Sequence, residues 1–114
     1  MKHLSSNQTS LYKNGKACLT TQYDFNNKSF GFAISKINGR YPESGYFVNK
    51  DVQEMIFVLG GKGMLCGKNG ECISFKKGDS VLIDKGESCF WLGKCKVITI
   101  CCPAWYESQH EIIN

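Results

Sequence analysis

The sequence predicts an all-β domain, a sandwich or a barrel. Three observations carry that prediction. β-rich segments recur about every ten residues between glycine, asparagine and lysine turns. Helical periodicity is weak throughout. An Asn69-Gly70 dipeptide separates two strand-like runs, the pattern that closes a tight hairpin.

The polar segment 1–14 reads as an N-terminal tail or an edge, and the first strand as Ala17 to Tyr23. Phe30 to Ile37 and Gly45 to Val48 follow. Gln53 to Leu59 and Gly63 to Cys66 are read as two strands joined by a sharp turn at Gly60-Gly61, because glycine lacks the Cβ that penalises positive φ. Glu71 to Phe75 completes the Asn-Gly hairpin, whose turn is expected to use left-handed backbone angles. Ser80 to Ile83 and Ser88 to Trp91 flank a second sharp turn at Lys85-Gly86. Cys95 to Cys101 is the last strand, ended by Pro103, which has no N–H to donate.

With 114 residues the chain suits one domain, burying roughly 65% of its unfolded surface. No apolar stretch is long enough to cross a bilayer, and no membrane association is expected. Residues 1–10 lack the apolar core of a signal peptide, which places the protein in the cytoplasm. The seven cysteines are odd in number, contain no Cys-x-x-Cys pair and are therefore read as thiols, most of them small core hydrophobes. The net charge of +4 comes from lysines scattered along the chain. Nucleic-acid binding, which wants a basic stripe interleaved with exposed aromatics, is not expected.

Met55-Ile-Phe-Val-Leu59 is apolar at every position, so a strand here needs cover on both faces. The N-terminal strands folded back, or a second copy packed sheet on sheet, would supply it. A homodimer is expected.

The run Glu54-Met-Ile-Phe-Val-Leu-Gly-Gly61, followed after the hairpin by Gly78-Asp-Ser-Val-Leu-Ile-Asp-Lys-Gly86-Glu-Ser-Cys89, resembles the paired motifs of the cupin family. The resemblance covers about residues 39–103, with 103–114 left as a C-terminal segment. It implies a single cupin-type double-stranded β-helix, an RmlC-like jelly-roll barrel. In metal-binding cupins two histidines precede the motif glutamate and a third closes the second motif. Here those positions hold Val48 and Lys50, or Phe47 and Asn49, and then Cys89, so only Glu54 remains. No metal cofactor is therefore expected. Asn49, Glu54 and Cys89 would offer an amide oxygen, a carboxylate and a thiolate, a mixed hard and soft set that suits no common ion well. The alternative is zinc, iron, nickel or manganese held by Glu54 and Cys89, with a second cysteine such as Cys102 helping to hold zinc or iron.

The register implied by the resemblance points Glu54 into the barrel, and strand alternation then places Ile56 and Val58 beside it and Trp91 beside Cys89. An enclosed carboxyl must find a donor or raise its pKa, which makes Glu54 a candidate general acid, base or ligand handle. The candidate ligand-binding set is Tyr41, Tyr46, Asn49, Glu54, Ile56, Cys89, Trp91 and Cys102. Of the two histidines, His3 lies in the tail. The simpler reading leaves His110 solvated while Trp105 and Tyr106 anchor the C-terminus; the other makes this segment a lid that carries His110 or Gln109 to the pocket. These features point to a small-molecule-binding module. The alternatives are an enzyme using Glu54, either an isomerase or epimerase or an atypical metal-dependent oxygenase, and a purely structural barrel.

Overall fold

A computed structural model describes all residues, 1–114. Nine strands form the fold: β1 (Ser10–Gly15), β2 (Cys18–Tyr23), β3 (Gly31–Tyr41), β4 (Tyr46–Asn49), β5 (Gln53–Gly67), β6 (Cys72–Lys76), β7 (Ser80–Ile83), β8 (Ser88–Cys102) and β9 (His110–Ile113). A single 3-10 turn, Glu107–Gln109, precedes β9. Every pairing is antiparallel. One path runs β1-β2-β3-β8-β4-β9, and β5 pairs with β6, β7 and β8, which curls the sheet into a barrel. No helix is long and apolar enough to cross a membrane.

The two longest strands make the barrel. β5 and β8 are each 15 residues long and pair along almost their whole length. The sequence reads each as two strands because glycines interrupt the β pattern. In β5 the interruption is a bulge between Val58 and Gly60, so Gly60-Gly61 is not a turn. Gly61 sits at φ 75°, and a Cβ there would lie 2.2 Å from the Lys94 carbonyl oxygen. Only glycine fits, and the extra residue exchanges the inward and outward parities of the strand on either side. In β8, Gly93 faces Gly39 on one neighbour and Gly63 on the other. A Cβ on Gly93 would meet the Gly63 Cα at 2.5 Å, so this row of three glycines allows the strands an approach that side chains would block.

Two chain segments left outside the predicted strands are strands as well. β1 pairs with β2, and β9 pairs with β4. The Asn-Gly hairpin is present with Cys66 opposite Cys72, but only Gly70 takes a positive φ; Asn69 does not, and its Oδ1 instead accepts the Glu71 N–H at 3.0 Å. The two cysteines are joined in a disulfide, which corrects the reading of all seven as thiols. Their spacing of six across the hairpin puts them directly opposite, with Cα atoms 4.1 Å apart. The Lys85-Gly86 turn forms as expected, with Gly86 at φ 84°.

The core lies between the curled halves. Ile37, Phe47, Ile56, Val58, Trp91 and Val97 are among its buried members, each pointing inward by strand alternation. Met55 and Phe57, the opposite parity of β5, are 49% and 46% exposed. The N-terminal strands do not cover them, because β1 and β2 extend the sheet beside β3. The outer face continues sideways from Met55 to Leu82 on β7 and to Ile100 and Phe32 on β8 and β3. Farther along the same strands the register sets Lys36 opposite Lys96, and Lys62 opposite both Lys94 and Lys76. All five are exposed, and none belongs to either of the two ion pairs, Lys16–Glu43 and Lys50–Glu111. Lysines dispersed in sequence are thus gathered in space.

Candidate active site

A cavity of about 310 Å³ opens at one end of the barrel between β1, β2, β3, β8 and the segment leading to β9. Its polar wall is built by β1 to β3 and the end of β8, with Asn14, Thr20, Gln22, Ser35 and Thr99. Trp91 and Ile37 form apolar surface, while Trp105 and Glu107 come from the C-terminal segment. Tyr41, Glu54 and His110 converge on the remaining side.

These last three belong to one hydrogen-bond chain whose polarity is fixed by backbone amides. Gln109, buried beside β4, receives the N–H groups of Asp51 and Val52 on its Oε1, at 3.3 and 3.2 Å. Its Nε2 must then face the other way, and it donates to Asn49 Oδ1 at 3.0 Å. The same Asn49 oxygen lies 2.9 Å from His110 Nδ1. An amide oxygen only accepts, so Nδ1 carries the hydrogen and Nε2 is left with a lone pair. Tyr41 OH lies 3.2 Å from that Nε2 and donates to it. On its other side Asn49 Nδ2 donates to Glu54 Oε1, leaving Oε2 to carry any proton. The sequence links are β4 for Asn49, the start of β5 for Glu54, the end of β3 for Tyr41 and β9 for His110.

Burial decides the charge states. Glu54 keeps some accessible surface, but protein surrounds it and that surface belongs to the cavity wall. Burial raises its pKa, against the smaller opposing effect of the Asn49 hydrogen bond, and favours the uncharged acid. Burial lowers the pKa of His110 and keeps the imidazole neutral. The phenol of Tyr41 is pushed up to about 12, by burial first and then by the negative charges that Cys18 and Glu54 would carry. The Phe47 ring stacks on His110 at 5.8 Å between centroids, and Trp105 lies 5.5 Å away on the cavity side.

The predicted site residues divide into two groups. Tyr41, Glu54 and Trp91 line the cavity, and Asn49 stands immediately behind it. The other four do not line it. Tyr46 packs on Phe90 with centroids 5.8 Å apart, and Ile56 is fully buried in the core. Cys89 is buried against a second cavity, its thiol pushed up to about 12 by burial and the nearby Glu54 and Glu87. Cys102 is exposed; its neighbour Cys101 has the inward parity and takes the place on the wall. The simpler reading of His110 as a solvated residue is corrected, since pairing of β9 with β4 carries it into the site. Tyr106 is exposed instead of lying on apolar surface, and it holds the segment through a hydrogen bond, donating to Asp51 Oδ2 at 2.8 Å. The sequence offers one signal for this arrival: the aromatic residues before His110, which suit a segment folded over the barrel mouth.

Residues 40–97 match the model of the EutQ-like cupin domain. The chain belongs to that cupin family. No curated protein matches it by sequence. Among solved structures, the nucleoside dehydratase PAC13 of Streptomyces, in a variant bound to uridine, superimposes with a TM-score of 0.89 at 13% identity over 100% of this chain and 91% of its own. Ectoine synthase from P. lautus gives 0.75 at 13% identity, covering 100% and 91%. An RmlC-like cupin from Shewanella frigidimarina gives 0.72 at 16%, covering 91% and 93%. At these identities the likeness is one of fold.

The metal that many cupins hold does not fit the donors present. No three His, Cys, Asp or Glu side chains converge anywhere in the structure. Asn49 Oδ1 is already engaged by two donors, Asn49 Nδ2 points its hydrogens at Glu54, and Cys89 lines a different cavity from Glu54. Lys50, near the expected ligand positions, pairs with Glu111 at 3.8 Å on the surface.

Proposed function

We propose that this cupin binds a small organic molecule in the Tyr41–Glu54–His110 cavity and catalyses proton transfer on it. The observation that carries the reading is the oriented chain from Gln109 to Tyr41. It presents a phenol whose proton has an acceptor on His110 Nε2, and across from it an uncharged carboxyl on Glu54. Tyr41 takes a proton from a substrate C–H as its own passes to His110. Glu54 gives its proton from Oε2 to a carbonyl or departing hydroxyl oxygen. With a carbonyl the product is an enol that reprotonates, as in isomerisation or epimerisation; with a hydroxyl the C–O bond breaks and water leaves. Several solved cupins of like fold are enzymes, among them a nucleoside dehydratase and ectoine synthase, which supports an enzymatic use of this cavity.

Deuterium uptake tests this across a range of candidate substrates. Incubated in D₂O with a panel of hydroxylated carbonyl compounds, sugars and nucleosides, the protein should place deuterium on carbon, or release water, in at least one member. Tyr41→Phe and His110→Gln should abolish the exchange. Exchange that persists in both variants, or none in the wild type, would sink the proposal.

The half-exposed Met55, Phe57 and Leu82 on the outer face support a second proposal, that two copies pack sheet on sheet through this face. Light scattering at micromolar concentration should give the dimer mass, and Phe57→Glu the monomer mass. A monomeric wild type would refute it.

A further inference from the structure

The chain carries fourteen lysines and arginines, yet not one of them lines the cavity. The only carboxylate exposed at its mouth is Glu107. Inside, the polar groups are neutral donors and acceptors. Asn14 Nδ2 donates to Thr20 Oγ1 at 3.1 Å, and Thr20 and Ser35 share a hydrogen bond of 2.9 Å. Thr20 Oγ1 also lies 3.8 Å from Cys18 Sγ; with Thr20 donating to Ser35, the Ser35 hydroxyl keeps its own hydrogen for a ligand. The Gln22 side chain makes no hydrogen bond within the protein, and its amide offers both a donor and an acceptor at the wall.

We infer that the cavity selects an uncharged, hydroxyl-bearing molecule, a polyol, free sugar or nucleoside, and rejects its phosphorylated form. This rests on the cavity being the ligand site, as proposed above. A phosphate monoester brings close to two negative charges. Enclosing them with no cation removes their hydration and returns no ion pair, which costs several kcal/mol. Neutral hydroxyls lose less, because Gln22 and the Thr20–Ser35 pair replace the water they leave. The apolar faces of Trp91 and Trp105 take the carbon skeleton or a planar ring. At about 310 Å³ the volume is at the small end for ligand sites, which suits a single sugar or nucleoside and leaves little room for a longer chain.

Matched pairs decide the matter. Ribose, glucose, xylitol and uridine, each beside its phosphate monoester, are tested by thermal shift at millimolar concentration. At least one neutral member should raise the melting temperature, and its phosphate ester should bind roughly a hundredfold more weakly. Gln22→Lys, a change on a half-buried side chain with no internal partner, should move the preference toward the ester. Esters that bind as well as or better than their neutral partners would overturn the inference. So would a panel in which nothing binds, or a Gln22→Lys protein with unchanged preference. Neutral binding without deuterium uptake would instead remove the catalytic proposal and leave the selectivity standing.

Discussion

Two of the barrel's cavities are nearly equal in size, about 310 and 320 Å³, and they are built from different materials. The first is walled by neutral polar and aromatic groups, behind which Asn49 and Gln109 hold one hydrogen-bond chain in a fixed direction. The second lies under the β5–β6 hairpin, with Lys68, Glu71 and Glu87 around its rim and the inert Cys89 thiol inside. Its Lys68 ammonium is already bound, to the Asn114 oxygen at 2.7 Å. Volume therefore says little about chemistry here. What distinguishes the first cavity is a set of titratable groups whose protons have defined donors and acceptors.

Substitutions in the two regions should have separable effects. The largest loss of stability is expected from Asn49→Leu, which strands the Gln109 amide, the His110 Nδ1–H and the Glu54 carboxyl; about 3 kcal/mol should be lost in urea unfolding. A loss under about 1 kcal/mol would mean the chain is not held as described. In the second region, reducing the Cys66–Cys72 disulfide opens a short loop and should cost about 2 kcal/mol, read as a lower melting temperature in dithiothreitol. That loss should leave ligand binding at the first cavity unchanged.

Titration separates the regions further, because the buried carboxyl and imidazole belong to the first alone. Glu54 binds its proton more tightly folded than unfolded, so its contribution to stability is full below the ordinary value of 4.5 and is lost as pH rises toward its folded value. Glu54→Gln should match the wild type in acid and gain on it as pH climbs. His110 has the opposite sign. Its neutral folded form loses stability as pH falls below the ordinary 6.5, and His110→Gln should remove that acid limb. Thermal melts across the acid-to-neutral range read both, and parallel curves for wild type and variants would contradict the charge states assigned here. The smallest effect lies outside both cavities. Lys62→Glu should add about 0.5 kcal/mol at low salt by placing opposite charge between Lys94 and Lys76, an effect that added salt should erase.

The barrel is legible in the sequence because its signals are local. The apolar run Met55 to Leu59, the hairpin at Gly70 and the Gly78-Asp79 step each announce structure within a few residues. The two long strands read as four because a bulge and a glycine row look like turns when the neighbouring strand is unseen. Glu54 and Tyr41 follow from the family's register and from side-chain type. The wall residues Asn14, Thr20, Gln22 and Ser35 do not, since small polar residues at alternate strand positions look the same whether they face solvent or a cavity. His110 is placed by the β4–β9 pairing, a contact across 61 residues from Asn49 to His110 that no local pattern reports. Likewise Cys66 and Cys72 are a spacing of six in sequence but a cross-strand pair in space.

One division in the fold bears on how its chemistry can change. The cluster of 13 buried core residues draws none of its members from residues 103–114, yet that segment supplies Trp105, Glu107, Gln109 and His110 to the site. The proton acceptor is thus mounted on a piece that is tied to the barrel by the β4–β9 ladder and the Gln109 hydrogen bonds but gives nothing to its apolar core. Such an arrangement lends itself to grafting: a replacement strand that pairs with β4 and keeps a glutamine in place of Gln109 would install a different base, or none, without repacking the apolar core.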